Sequence, residues 1–255
     1  MTMQEAVARF IPDGASVCMG TALEAAIPFA AGHELIRQRR RDLTLIGPIS
    51  DMLFDQLVGA GCVRRIIAAW VGNVSAGLGH NYRRAVEKGV PAAIEVEDHS
   101  NLTLAFGLQA GALGVPYLPT RSLLGSGLAE SNPTFKAGTD PWSGAPLLLV
   151  PALVPDVAVL HVQRADEDGR AHFWGTLGVT RPAALAARRV IIVAEEIRPP
   201  EPDPVGSGPG PDAGDEGGGG RARALRRLSL AGAGLLPAPP RLLRALPRGE
   251  PHGGG

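Results

Sequence analysis

The sequence predicts an α/β fold, a mostly parallel sheet covered by helices, and three observations predict it. Its strand-like runs are short and apolar along their whole length, as in SVCMG, RRIIAAWV, VAVLHV and VIIVA. Continuous apolar runs imply burial on both faces, which a parallel sheet between helices provides. The runs are separated by segments with helical spacing and recognisable caps. At 255 residues, 45% hydrophobic and 20% charged, the chain can bury a sizeable core.

The elements follow in order. Residues 16–20 predict a buried strand and Leu23 to about Gln38 a helix. Residues 43–46 predict a second strand, and Asp51 to Gly59 a helix after a Ser50 cap. Residues 64–71 form the third predicted strand, and 81–88 a short helix stopped at Gly89. Residues 93–96 predict a fourth strand, after which Ser100 caps a helix to about Leu113. Two further strands, 157–162 and 190–194, flank a helix over 182–188.

This body, residues 1–197, ends sharply. The 58 residues of 198–255 hold 14 Gly and 11 Pro with no Phe, Trp, Tyr or Ile. Such a segment buries too little apolar surface to offset its ordering entropy, so disorder is expected, with transient helix at most in Arg221 to Ala231. Formal net charge is zero, which argues against a nucleic-acid binder. Cys18 and Cys62 are too few for a disulfide framework and read as small core residues. The N-terminus lacks a signal-peptide pattern and no apolar run approaches a membrane span, so a cytoplasmic location with no membrane partner is expected.

In parallel sheets, ligands gather at loops after the strand C-termini. Four loops hold candidate binding residues. After strand one, Gly20 and Thr21 allow backbone NH groups to approach an anion. After strand three, Gly72, Asn73, Ser75, Gly77 and His80 combine small residues with hydrogen-bonding groups. Around strand four, Glu97 and His99 sit in a carboxylate-rich stretch that also suits a helix start. Only two strong ligand types converge there, so no metal site is expected. Arg121 could hold a carboxylate or phosphate bidentately, or make a surface pair. His161 reads as a satisfied core histidine and His33 as structural.

Across residues 4–197 the order of motifs resembles that of family I CoA-transferase A subunits, of the glutaconate or 3-oxoacid type. The matching stretches are IPFAAGHELIRQ, DLTLIGPISDMLFDQL, GNVSAGLGHNYRRAVE, IEVEDHSN, GVPYLPTRSLLGS, PDVAVLHVQRADEDGRAHFWG and ARRVIIVAEEI. The resemblance implies a sugar-phosphate-isomerase-like domain that takes acyl-CoA and a carboxylic acid as substrates, with no separate cofactor, and that pairs with a B subunit. It also implies a glutamate nucleophile on the B subunit, in a Ser-Glu-Asn-Gly or similar motif. That motif is absent here, so this chain is assigned no catalytic residue. The family's usual Gly-Gly-Phe turn reads Gly20-Thr21-Ala22. Relatives continue into another strand and a helical C-terminus where the Gly/Pro/Arg tail stands. We expect a reading-frame change near Arg198, testable by translating the other two frames.

Two other functions compete. Some relatives hydrolyse ring-containing CoA thioesters of steroid-derived acids using a glutamate in the region of IEVEDHSN. Asn101 aligns near that glutamate, while Glu97 lies close by. A third possibility is a truncated remnant that binds a partner without turnover, which the aberrant tail would suit.

Overall fold

The computed structural model describes residues 1–22, 26–49, 52–73, 77–166, 169–199 and 229–231. Helix α1 (Met3–Phe10) leads into β1 (Ser16–Cys18), α2 (Phe29–Arg37), β2 (Leu43–Ile49), α3 (Met52–Gly59) and β3 (Val63–Trp70). A small hairpin, β4 (Gly72–Asn73) and β5 (Gly77–Leu78), precedes α4 (His80–Lys88) and β6 (Glu95–Asp98). Next come α5 (Asn101–Leu113), β7 (Tyr117–Thr120), α6 (Gly127–Ser131), β8 (Lys136–Thr139) and β9 (Pro146–Pro151). The chain then forms β10 (Val157–Asp166), β11 (Ala171–His172), α7 (Thr180–Ala186) and β12 (Arg189–Arg198), with a last strand β13 at Ser229–Ala231.

The main sheet has the order β13-β12-β10-β1-β2-β3-β6, and every pair along it is parallel. Short β11 joins β10 antiparallel. The chain starts in the middle, winds outward to β6, then returns to the other side of β1 as β10. The β1/β10 boundary is therefore the point where the winding reverses, the usual place for a ligand crevice at the strand C-termini.

Successive side chains divide between two cores. On one face Val17, Leu45, Ile66, Val159 and Ile191 pack with Phe10, Leu35, Phe54 and Leu57 from α1 to α3. On the other, Cys18, Ile46, Ile67, Leu160 and Ile192 pack with Leu104, Leu108, Ala183 and Ala184 from α5 and α7. This is the two-sided burial that the apolar runs predict. The cysteines are buried core residues, and burial pushes the Cys18 thiol up to about 12.

Several boundaries shift. The helix expected from Leu23 begins at Phe29: Ala26 is left-handed (φ 56°) and the residue before Pro28 is disfavoured in a helix. The fourth strand moves to 95–98, because pairing with β3 starts at Arg65 opposite Glu95. The last helix starts at Thr180, which places Pro182 in the first turn, where its missing NH is harmless. Helices α4 and α5 end where expected, at left-handed Gly89 and Gly114, and Ser100 caps α5 with Thr103. Beyond residue 199 only Ser229–Ala231 is described, and it pairs parallel with β12 in place of the transient helix expected there. Ser50 lies outside the described residues.

One unit escaped prediction: residues 117–151 form a separate antiparallel sheet, β7-β9-β8, around Phe135, Leu148 and Val150. It bears on the site through its contact with β6.

Candidate functional site

The candidate loops follow β1, β3 and β6, so they lie along the C-terminal edge of one sheet. After β1, Gly20 is left-handed (φ 67°) and buried, and Thr21 is buried with it. Thr21 Oγ1 shares a hydrogen bond of 2.7 Å with Thr180 Oγ1, and its carbonyl accepts from the Val179 NH at 2.9 Å. A Cβ on Gly178 would sit 2.2 Å from that carbonyl, so only glycine permits this approach. The loop after β1 is thereby tied to the start of α7, across the winding reversal.

After β3, Gly72 pairs with Leu78 and Asn73 with Gly77 in a hairpin. A Cβ on Gly72 (φ 153°) would fall 2.5 Å from the Gly77 carbonyl oxygen, whereas one on Gly77 would meet open space. Asp55 of α3 fixes the far end of this loop. Its carboxylate accepts from the Tyr82 NH at 2.8 Å and from Asn81 Nδ2 at 2.9 Å, capping α4, whose own N-cap Gly79 offers no side chain. His80 is the exposed first residue of α4. Ser75 lies outside the described residues.

Glu97 and His99 do meet. Glu97 (6% exposed) accepts a hydrogen bond from Arg65 Nη2 through Oε2, and its Oε1 lies 2.9 Å from His99 Nε2. Thr134 Oγ1, from the loop before β8, is 3.2 Å from the same Oε1. Burial pushes the Glu97 carboxyl up, but the hydrogen bonds and positive charge of His99 and Arg65 outweigh it and hold the group below its ordinary value. His99 is buried against Phe135, ring edge to face at 5.1 Å, and its Nδ1 has no partner among the described residues. Asn132 completes the knot by donating to the Asp98 carbonyl at 2.7 Å.

Arg121 is exposed just after β7, on the small sheet, and no hydrogen bond or ion pair joins it to His80 or any other described residue. His161 bonds Glu195 at 2.8 Å and His33 bonds Gln56 at 2.8 Å. Among the described residues no group of three or more His, Cys, Asp or Glu could hold a metal ion, and no helix is long and apolar enough to cross a membrane. The sequence reading missed Arg65, Thr134, Asn132 and Asp55. Arg65 carried a signal: a charge in a buried strand needs a partner. The others had none, because their partners lie 26 to 37 residues away in sequence.

A family model described as coenzyme A transferase matches residues 1–205. The chain belongs to the coenzyme A transferase family. It is 45% identical over 197 residues to the A subunit of 3-oxoadipate CoA-transferase from Pseudomonas knackmussii, covering 77% of this chain and 70% of that one. The crystal structure of glutaconate CoA-transferase from Acidaminococcus fermentans superposes with a TM-score of 0.73 at 30% identity, over 78% of this chain and 67% of that one. The AibA/AibB decarboxylase superposes with a TM-score of 0.71 at 33% identity, over 79% and 76%. The fold expected from the sequence is thus the fold of this family, and the decarboxylase shows that this fold hosts more than one reaction.

Proposed function

We propose that the chain is the A half of a CoA-transferase and works with a B subunit that carries the attacking carboxylate. The observation that supports this is that Glu97, the buried carboxylate of the C-terminal edge, is not free to attack. Cys18 is a buried, protonated thiol, and both oxygens of Glu97 are engaged, one by Arg65 and the other by His99. The engagement of Glu97 also weighs against the hydrolase reading. A nucleophile must present a free lone pair to the thioester carbonyl.

In the proposed reaction a glutamate from the B half attacks the acyl-CoA carbonyl and expels CoA thiolate, giving an acyl-glutamyl anhydride. The thiolate attacks the glutamyl carbonyl, releasing the first acid and leaving glutamyl-CoA. The second acid repeats the two steps in reverse, which yields the new acyl-CoA and restores the glutamate. Every bond broken is matched by one formed, so the exchange needs no external energy. The loops of this chain serve as walls. Gly20 and Gly72 bring backbone close to the substrate, Asp55 and Thr180 hold those loops still, and exclusion of water protects the anhydride.

The test is co-expression with a CoA-transferase B subunit, followed by incubation with an acyl-CoA and an acceptor carboxylic acid. Exchange of CoA by the pair, with none by this chain alone, is the expected result. Exchange by this chain alone would overturn the proposal, as would release of free CoA or carbon dioxide without exchange.

A further inference from the structure

A cavity lies at the opposite edge of the sheet, beneath the N-terminal ends of β1, β10 and β12. It measures about 410 Å³ and includes Phe10, Ala15, Val157, Asp156, Arg188 and Arg189 in its lining. That size falls within the range of small-molecule sites, roughly 300–1,000 Å³. Its floor is apolar: Phe10 and Val157 are buried, as is Ala15.

Two acids, Asp13 and Asp156, and two arginines, Arg188 and Arg189, line it, and they are engaged to different degrees. Both acids are engaged by the protein's own donors. Asp156 Oδ2 accepts from Ser16 NH at 2.9 Å and Ser16 Oγ at 2.7 Å, while Oδ1 lies 3.8 Å from Arg188 Nε. Asp13 Oδ1 accepts from the Arg41 NH at 2.9 Å. The guanidinium of Arg189 instead lies 5.5 Å over the Phe10 ring and that of Arg9 lies 5.1 Å over it. Neither has a carboxylate within ion-pair range among the described residues, and Arg188 reaches only the long contact to Asp156. Cation–π contact satisfies a guanidinium only in part and leaves its fork of NH donors open.

We propose that this cavity binds a small organic oxyanion, a carboxylate or phosphate joined to a flat or apolar body. Its charged head meets the forks of Arg189 and Arg188, a geometry suited to two-oxygen recognition, and its body lies on the Phe10–Val157 floor. The site is separate from the loops after β1, β3 and β6, so its ligand does not compete with acyl-CoA. The binding does not depend on the transferase reading.

Titration calorimetry of the full chain with phenyl phosphate and with benzoate tests this, with inorganic phosphate and phenol as the two halves of the probe. Saturable binding of one of the two joined probes is expected, weakened at least tenfold by Arg189→Ala, weakened less by Arg9→Ala, and unchanged by Arg121→Ala. Arg189 of the lining and Arg9, which lies over the Phe10 ring, are both exposed, so these variants leave the core intact. The proposal is overturned if neither joined probe binds, if phosphate or phenol alone binds as well, or if Arg121→Ala rather than Arg189→Ala removes binding.

Discussion

The large parallel sheet buries apolar side chains on both faces, between α1–α3 on one side and α5 and α7 on the other. The small antiparallel sheet has a core of three buried residues, Phe135, Leu148 and Val150, and meets the large one at β6 through polar groups. Thr134 reaches Glu97, Asn132 reaches the Asp98 carbonyl, and Phe135 packs on His99. Apolar burial is additive and tolerant, whereas a buried polar knot is stable only when every member is satisfied. The large sheet therefore supplies stability. The small sheet fixes where the edge strand and its loop stand, and that edge is where the candidate site lies.

The largest expected effect comes from the apolar side. Leu160 on β10 is 1% exposed, and Leu160→Ala should lower the unfolding free energy by about 3 kcal/mol through lost transfer energy and a residual cavity. Urea unfolding followed by circular dichroism would measure it. Hydrogen exchange should quicken across all of the parallel strands together, since they share one core. Acceleration confined to β10 would break the picture of a single cooperative sheet.

Glu97→Ala should cost about 2 kcal/mol, because it strands Arg65 and the buried His99 Nε2 without an acceptor. The difference from Leu160→Ala is regional: faster exchange should appear in residues 117–151 while β1 and β2 keep their protection. A pH dependence accompanies it. The Glu97 carboxyl in the folded chain titrates below its ordinary value of 4.5, so the unfolded chain takes up the proton first as pH falls. Its contribution is then complete above pH 4.5 and fades as the pH drops through the lower folded value. The gap in urea midpoint between wild type and Glu97→Gln should narrow over that acid range. A gap that stays constant down to the acid limit would show that the charge of Glu97 does not hold the two sheets together.

The same contrast explains what the sequence made legible. RRIIAAWV and VAVLHV state their burial on both faces residue by residue, and capping at Ser100 and Gly114 is written within four residues of each helix end. The loops after the strands were therefore placed correctly, and Glu97 on β6 proved adjacent to His99 just past its end because they are two apart in sequence. The small sheet was not legible. Its strands are interrupted by Pro119, Gly138 and Pro146, and its anchor depends on pairs separated by 34 and 37 positions. Local pattern carries no information about such pairs. Arg121 shows the consequence: its residue type suited anion binding, but it sits on the sheet that pattern reading could not place.

The smallest effect separates two accounts of the polar knot. Thr134 Oγ1 lies 3.2 Å from Glu97 Oε1 and 2.7 Å from Asn132 Oδ1, and a hydroxyl has one proton to give. The shorter contact takes it, so Thr134 acts mainly by orienting Asn132 toward the Asp98 carbonyl. Thr134→Val should then cost only about 0.5–1 kcal/mol, with the acid-range behaviour of Glu97 unchanged. Asn132→Ala should cost more, since it leaves a backbone carbonyl of the edge strand without its donor. If the order is reversed, and Thr134→Val also shifts the pH at which Glu97 titrates, then the hydroxyl proton goes to the carboxylate. The two sheets would in that case be joined through Glu97 itself, rather than through the backbone beside it.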